Sequence, residues 1–340
     1  MPKGKPPIQA QTPAQRIIDT AGGLPQGIAY ERGFHILGTP IGFKGARNAE
    51  LQFLSRVDDP LPRGSRSVLT TPFIAGAIGA RKRGLDCLSL GYGRRIRLGK
   101  LDMRLFPAGL GPGSAQLEVA YKDRKIVFCG GVRLASLTGF SPAEFSKTDL
   151  LLLDVEPAEP RPPSPERVIG KLKQWLKETA ARGQIPVLCF GSLDAVFAAG
   201  WALRDGDSPV YAHRSMYEMM KRVGDAGVTP AVVRRLQQRP PKGSTVFHSS
   251  RLWPHSKLRG RGLRTAYVGP GRAVPKWASA AFRLGESEAR SGLVSYVTRM
   301  QPSQIVLGPG CDEATSSALS KAGFRVFRIH EARQMLFSFF

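Results

Sequence analysis

The side chains of this sequence that could carry out acid/base or metal chemistry are few and widely spaced. Asp154 and Glu156 follow an apolar run and could form a general acid/base pair, and a buried capping role for Asp154 fits the sequence equally well. His248 and His255 stand seven residues apart in a basic stretch, where packing or contact with nucleic acid explains them better than a ligand role. None of the five histidines lies between positions 35 and 213.

Two glycine-rich segments invite a phosphate-loop interpretation, but neither has the required residues. Residues 109–113 and 308–310 lack the Lys-Ser/Thr that follows the glycines of a P-loop. The Gly191-Ser192-Leu193 segment lacks the second glycine of a nucleophile elbow. These glycines therefore predict tight turns at strand ends.

The elements that must position such residues are strands and helices in alternation. Residues 27–132 predict short strands between Gly/Pro turns, with one helix over Pro72–Arg83. The apolar run 149–155 predicts a strand buried on both faces, and an amphipathic helix follows over Glu166–Arg182. Strand and helix patterns then alternate over 185–329, which indicates an α/β fold with a parallel sheet covered by helices.

Residues 105–116 read Leu-Phe-Pro-Ala-Gly-Leu-Gly-Pro-Gly-Ser-Ala-Gln, and two strands that end in Phe-Cys-Gly-Gly-Val follow them. This stretch and the order of elements resemble the metallo-β-lactamase superfamily. The resemblance is to its β-CASP nucleases, of the ligase-associated exonuclease and mRNA 3′-end-processing type. It implies an αββα sandwich with an inserted β-CASP-like α/β segment. Active members hold zinc on His and Asp ligands, and the metal generates a hydroxide and clamps the phosphodiester.

The positions where this resemblance implies metal ligands have lost them. The histidine expected after Pro-Ala-Gly is Leu110, and the aspartate expected after the second strand is Gly131. The emptied positions together are Ser55, Val57, Pro60, Leu110, Gly131, Ser287 and Pro309, and the retained acids are Asp59 and Asp154. Because catalytic zinc needs three or more converging donors, the resemblance implies a protein with no metal, no other cofactor and no hydrolytic reaction of the family's kind.

The charge of the chain favours a polyanionic partner. Fifty Lys and Arg against 26 Asp and Glu give a net charge of +24, and residues 226–285 hold twelve of these cations and no acid. We predict that nucleic acid contacts Arg81, Lys82, Arg83, Arg94, Arg95, Arg234, Arg235, Arg239, Arg251, Trp253, Lys257, Arg259, Arg261 and Arg264.

We expect a flexible basic arm over residues 1–22, a metallo-β-lactamase-like domain over 23–155 and 265–340, and a β-CASP-like inserted domain over 156–264. The four cysteines lie far apart, which predicts reduced thiols in a cytoplasmic protein, and no apolar run reaches the length of a membrane span.

The predicted function is non-catalytic binding of DNA or RNA, alone or as the inactive partner of an active β-CASP nuclease. Two alternatives stay open: an active hydrolase or exonuclease with a relocated site, and a protein-interaction scaffold whose charge reflects an arginine-rich proteome.

Overall fold

A computed structural model describes residues 27–47, 49–60, 67–80, 83–135, 140–158, 161, 163–206, 208–225, 232–258, 260, 262–271, 274–285 and 287–329. These residues form a mixed α/β fold with three sheets and six α-helices. The predicted basic arm over residues 1–22 lies outside the described residues, as does His330.

The first sheet has six strands in sequential order, and its last four strands are parallel. Its strands are β1 (Ile28–Tyr30), β2 (Phe34–Ile36), β3 (Ile41–Phe43), β4 (Leu51–Phe53), β5 (Ser67–Thr70) and β6 (Asp86–Ser89). Helix α1 (Pro72–Ile78) connects β5 to β6. Thr71 caps its N-terminus, and Gly79 caps its C-terminus with φ of 66°, so the helix ends at Ile78, five residues before the predicted Arg83.

The second sheet has seven strands in the order β19-β18-β11-β10-β9-β8-β7. These are β7 (Arg95–Leu98), β8 (Leu101–Pro107), β9 (Ala115–Tyr121), β10 (Arg124–Cys129), β11 (Leu150–Leu153), β18 (Gln304–Leu307) and β19 (Val326–Arg328). Helix α5 (Arg290–Met300) precedes β18 in the chain, and helix α6 (Glu313–Lys321) connects β18 to β19. Ala289 precedes the first turn of α5 as its N-cap residue.

The first and second sheets bury their facing sides against each other. Phe43 of the first sheet stacks on Phe128 of the second with ring centroids 4.5 Å apart, and Phe34 and Phe53 meet the same Phe128 ring edge-on. The leucine side chains of β11 are buried on both faces of the sheet, as predicted. Leu150 and Leu152 enter the core between the sheets, while Leu151 and Leu153 pack under α5 and α6.

The third sheet is parallel throughout, in the order β14-β13-β15-β12-β16-β17. Its strands are β12 (Ile185–Phe190), β13 (Val210–Ala212), β14 (Val233–Arg235), β15 (Thr245–Ser249), β16 (Leu263–Gly269) and β17 (Ala280–Arg283). Helices α2 (Pro165–Ala181), α3 (Leu193–Ala202) and α4 (Arg214–Asp225) cover one face. Trp253, in a 3-10 turn, packs on the other face with Leu236, Leu258 and Trp277.

This topology corrects the predicted end of the inserted domain at residue 264. Strand β16 pairs with β12 through Val187↔Thr265, and β17 pairs with β16, so both strands belong to the third sheet. The chain returns to the second sheet only after Arg283. The sequence pattern missed β14, β15 and β17, which all lie in the basic stretch 226–285.

Two further observations concern the chain as a whole. Among the described residues, no helix combines the length and apolarity that a membrane crossing requires. The four cysteines are free thiols; Cys87 is half-buried and the other three are buried.

Candidate functional site

The loops that carry the predicted site residues meet at one edge of the two packed sheets. Strands β8 and β10 are both antiparallel to β9 and therefore run in the same direction, and β11 and β18 are parallel to β10. Their C-terminal ends thus share one edge of the second sheet, and the loops after β3 and β4 of the first sheet reach the same place. We call the residues gathered there (Lys44, Ser55–Asp59, Leu110, Gly131, Asp154 and Ser287) the strand-end site.

The Pro-Ala-Gly-Leu loop is a tight turn held by its own serine. The backbone N–H groups of Leu110 and Gly111 both donate to Ser114 Oγ at 3.1 Å. Gly109 has φ of 83°, and a methyl group there would clash with the carbonyl oxygen of Arg133. Loop geometry therefore accounts for the glycine and serine of this motif. Leu110 itself is 1% exposed.

Three of the positions at which the resemblance implies lost ligands converge. A methyl group on Gly131 would lie 2.5 Å from Leu110 Cδ1 and 3.4 Å from Ser287 Oγ. The backbone N–H of Glu288 donates to Val132 O at 2.9 Å, which holds the Ser287 loop against the Gly131 loop. Leu110 thus fills the space that a larger side chain at position 131 would need, and the two residues are complementary in size.

The other positions at which the resemblance implies lost ligands lie outside this group of Leu110, Gly131 and Ser287. Ser55 Oγ would lie 2.8 Å from a methyl group on Gly130. Val57 packs into the cluster under α1, and Pro60 is exposed. Pro309 lies between two glycines that contact Asp154.

Asp59, the first retained acid, is bound by its own loop. Its Oδ2 accepts from Ser55 N at 2.6 Å, from Ser55 Oγ at 2.8 Å and from Arg56 N at 3.0 Å. Burial raises the pKa of the Asp59 carboxyl, and the serine hydrogen bond and the charges of Lys44 and Arg56 oppose that rise. These contacts give Asp59 a structural role in closing the loop after β4.

Asp154, the second retained acid, is paired with a lysine. Lys44 Nζ lies 3.1 Å from Asp154 Oδ2 and donates to Asp154 O at 2.8 Å. Asp154 Oδ1 accepts from Gly310 N at 2.8 Å, and a methyl group on Gly308 would lie 2.6 Å from its Cγ. The glycines of the Gly-Pro-Gly turn therefore allow the carboxylate to approach the loop after β18. Glu156, the suggested partner in acid/base chemistry, is exposed, whereas Asp154 is buried.

A half-buried arginine joins the strand-end site to the third sheet. Arg56 Nη2 lies 2.6 Å from Asp194 Oδ2, at the start of α3, and 3.0 Å from Asp58 Oδ2. Burial alone would lower the pKa of Arg56, but Asp194, Asp58 and Asp59 outweigh it and raise that pKa. Burial raises the pKa of Asp194, and Arg56 and Arg133 oppose this. The arginine therefore stays charged and neutralises acids from two parts of the chain.

Sequence reasoning missed Lys44, Arg56 and Asp194. Lys44 directly follows the apolar strand β3, but a cation after a strand is not a specific signal. Its partner is 110 residues away in the chain, and the partner of Arg56 is 138 residues away. Only the three-dimensional structure identifies these pairs.

The residues present do not fit a catalytic zinc ion. Zinc needs several imidazole, thiolate or carboxylate donors that are free to converge. Within the described part of the chain, no three His, Cys, Asp or Glu side chains form such a group. The carboxylates of the strand-end site instead accept from protein cations and backbone N–H groups.

Most of the predicted nucleic-acid-binding cations that the structure describes are exposed. These are Arg83, Arg94, Arg95, Arg234, Arg235, Arg239, Arg251 and Lys257. Arg94 and Arg95 follow two residues that are held near the Pro-Ala-Gly-Leu loop, since Tyr92 Oη donates to Ser114 O at 2.8 Å and Gly93 N donates to Leu105 O.

Two predicted contact residues are placed elsewhere. Trp253 is 3% exposed, in the core beside Trp277, because its apolar ring covers the third sheet. Its burial removes it from the predicted binding surface. Arg264 is half-buried, and its guanidinium lies over the Trp175 ring. Arg81, Lys82, Arg259 and Arg261 lie outside the described residues.

The structure favours packing, one of the two roles predicted for His248. It belongs to the central strand β15 and is 1% exposed. Its ring lies 4.6 Å from the ring of His213, centroid to centroid, at the C-terminal edge of the third sheet. His255, by contrast, is exposed.

No protein-family model matches this sequence, and no curated protein is similar to it by sequence. Its fold is similar to a crystal structure of a protein of unknown function from Enterococcus faecalis V583. The TM-score is 0.59 at 12% sequence identity, over 83% of this chain and 79% of that chain. At this identity the similarity concerns the fold alone.

Proposed function

We propose that the protein is a cytoplasmic, non-catalytic nucleic-acid-binding protein. In this proposal it has a metallo-β-lactamase-like scaffold with a β-CASP-like insertion, and it acts in DNA or RNA processing, alone or as the inactive partner of an active nuclease. The packing of two sheets face to face, with α1 on one outer side and α5 and α6 on the other, supports the scaffold assignment.

The observation that carries the proposal is the filling of the strand-end site. Leu110, Gly131 and Ser287 meet where the resemblance implies metal ligands. Beside them, Lys44 and Arg56 neutralise Asp154 and Asp194. An ammonium or guanidinium group can balance the charge of a carboxylate, but it offers no coordination site for a water nucleophile.

The distribution of exposed cations supports nucleic acid as the partner. Arg94 and Arg95 follow Tyr92, which is bonded to the Pro-Ala-Gly-Leu loop at Ser114, and Arg235 and Arg251 lie at the C-terminal ends of β14 and β15. The Arg56–Asp194 pair joins the strand-end site to the C-terminal edge of the third sheet. Cations on both sides of this junction suit a polyanionic backbone.

The test measures binding of fluorescently labelled 20-nucleotide DNA and RNA to the full chain between about 50 and 500 mM salt. We expect the logarithm of the association constant to fall linearly with the logarithm of salt concentration, with a slope of about −0.9 per phosphate contact on duplex DNA. The double variant Arg94→Glu/Arg95→Glu should bind about tenfold or more weakly at low salt, with a shallower slope.

The matched control is Lys173→Glu/Lys177→Glu, which makes the same change in net charge on the exposed side of α2. This control should retain most of the affinity. Absence of binding at about 50 mM salt, or equal losses in the two double variants, would contradict a specific binding surface and favour a protein-interaction scaffold. Divalent-metal-dependent cleavage that is lost on changing Asp59 or Asp154 would contradict the non-catalytic assignment.

A further inference from the structure

A pocket of about 480 Å³ opens at the C-terminal edge of the third sheet, separate from the strand-end site. Its lining comes from the residues that directly follow β13 and β14 and from Leu258 in the connection between β15 and β16. Pockets of about 300–1,000 Å³ are the usual size for small-molecule ligands.

The topology of the sheet places this pocket at a switch point. From β13 the chain passes through α4 to β14 at the sheet edge, whereas from the neighbouring β15 it crosses β12 to reach β16. Met216 and Met220 of α4 pack on one face, and Trp253 and Leu258 of the β15–β16 connection pack on the other. In parallel α/β sheets, ligands bind where neighbouring connections diverge in this way, outside the carboxyl ends of the strands.

The pocket carries cations suited to a phosphate group. Arg214 and Arg235 both line it, are exposed, and form no ion pair with a described residue. Arg214 is also the first residue of the 12-residue helix α4, whose free N–H groups and dipole favour an anion at that end.

The remaining lining suits a planar, hydrogen-bonding ring. The His213 imidazole offers a flat surface, and Leu236 and Leu258 are apolar. The amides of Gln237 and Gln238 offer paired donors and acceptors of the kind that match base edges.

A buried acceptor lies behind His213. His248 Nδ1 is 2.9 Å from Ser249 O, and because a carbonyl oxygen only accepts, Nδ1 carries the proton. Its Nε2 is buried and has no hydrogen-bond partner. A buried unpaired acceptor is costly, and this one lies beside a residue that lines the pocket, because the rings of His248 and His213 are 4.6 Å apart, centroid to centroid. Burial also lowers the pKa of His248, which keeps the ring neutral and Nε2 free to accept.

From these contacts we propose that the pocket binds a nucleoside monophosphate, with the phosphate on Arg214 and Arg235 and the base against His213, Gln237 and Gln238. The ligand could be a free mononucleotide or the phosphorylated end of a strand, since both present the same chemistry. The proposal shares Arg235 with the proposed nucleic-acid surface but does not depend on Arg94 and Arg95.

Titration calorimetry of the full chain with each of the four ribonucleoside 5′-monophosphates tests this assignment. We expect one nucleotide to bind per chain, more tightly than the unphosphorylated nucleoside or inorganic phosphate. Arg214→Gln and Arg235→Gln should each weaken binding by about 10- to 100-fold, as expected for loss of a charge-assisted hydrogen bond.

The matched control is Arg182→Gln, an exposed arginine after α2 at the opposite edge of the same sheet. It should leave the nucleotide affinity unchanged, and circular dichroism should show all three variants folded. Nucleotide binding that is absent at millimolar concentration, unaffected by Arg214→Gln and Arg235→Gln, or no tighter than binding of inorganic phosphate would overturn the proposal.

A second titration distinguishes the two sources of the ligand. It compares short single-stranded oligonucleotides with and without a 5′-phosphate. A preference for the phosphorylated end that Arg235→Gln removes identifies a strand end, and equal binding of the two oligonucleotides, with mononucleotide binding intact, identifies a free nucleotide. Failure of the pocket would leave the salt-dependent binding through Arg94 and Arg95 in place, so the two proposals fail separately.

Discussion

Replacing Lys44 with methionine removes a positive charge from the strand-end site and keeps most of the side chain's volume. Asp154, whose side chain is 9% exposed, would lose the ammonium group 3.1 Å from its Oδ2, and its backbone carbonyl would lose a donor at 2.8 Å. Removing one partner of a buried ion pair typically costs about 3–5 kcal/mol. The Lys44 side chain is 26% exposed, so water can replace part of the lost interaction. We therefore expect a loss of about 2–3 kcal/mol in the free energy of unfolding.

The assay is urea unfolding followed by far-UV circular dichroism, with hydrogen exchange of β11 and β18 as a local measure. Tryptophan fluorescence alone would not suffice, because all four tryptophans lie between residues 175 and 277, in the part of the chain that forms the third sheet. Faster exchange should be confined to the strands that hold Asp154 and the Gly308–Gly310 turn. The exposed Lys173→Met serves as the control and should change stability by no more than about 0.5 kcal/mol.

A double-mutant cycle with Asp154→Asn separates the ion pair from other effects. Once the carboxylate is neutral, loss of the ammonium should cost less, so the combined variant should be more stable than the sum of the single losses predicts. A Lys44→Met protein within about 0.5 kcal/mol of the unchanged chain would refute the reasoning, because the retained acid would then need no cation.

Three further predictions concern packing and pH. Gly131→Ala should lower the free energy of unfolding by about 1–3 kcal/mol, because its methyl group would lie 2.5 Å from Leu110 Cδ1. Adding Leu110→Ala to this variant should recover part of that loss. Additive losses of the two changes in urea unfolding would refute the contact. Trp253→Ala should lower the free energy of unfolding by about 3–5 kcal/mol and leave the salt dependence of DNA binding unchanged, because Trp253 is buried. A changed salt slope in the folded variant would show that Trp253 contacts the nucleic acid. Asp312 caps α6, and although partial burial opposes it, hydrogen bonds from Thr315 and Arg290 lower its pKa. A carboxyl group whose pKa is lower in the folded than in the unfolded state stabilises the fold at pH values above its unfolded pKa. This stabilisation is lost as the pH falls through the folded pKa. Asp312→Ala should therefore lower the free energy of unfolding by about 1 kcal/mol at pH 7, and by progressively less as the pH falls below about 4. A loss that does not change with pH would argue against the cap.

Local patterns in the sequence predicted the elements that dominate the core. The leucine run of β11 indicated a strand buried on both faces, and alternation of its side chains places them in two different clusters. The Pro-Ala-Gly-Leu loop was identified from its residues, and the convergence of Leu110 with Gly131 could be expected from strand direction once the sheet order was known.

Short strands in a charged segment could not be predicted in the same way. Strand β15 has only five residues, Thr-Val-Phe-His-Ser, within a stretch whose charge indicated an exposed basic loop. Its position is fixed by parallel neighbours on both sides, β13 and β12, which are distant in the chain. Trp253 was assigned to a nucleic-acid surface for this reason, although it is buried, and contact with nucleic acid was left open for His248, which is buried as well.

The ion pairs of the strand-end site suggest how a fold of this kind can keep its acids without a metal ion. Closely spaced carboxylates repel one another, so acids that share a site need a bound cation or positive side chains nearby. This chain keeps Asp154 and Asp59, and the charge of Lys44 acts on both of them. A lysine contributes one charge and three donors, enough to satisfy a carboxylate and a backbone carbonyl. It cannot bind and activate a water molecule as a Lewis acid does. A lysine at this position therefore satisfies Asp154 without supplying the Lewis acid that metal-dependent hydrolysis requires, and the stability of Lys44→Met measures how far the carboxylate depends on that cation.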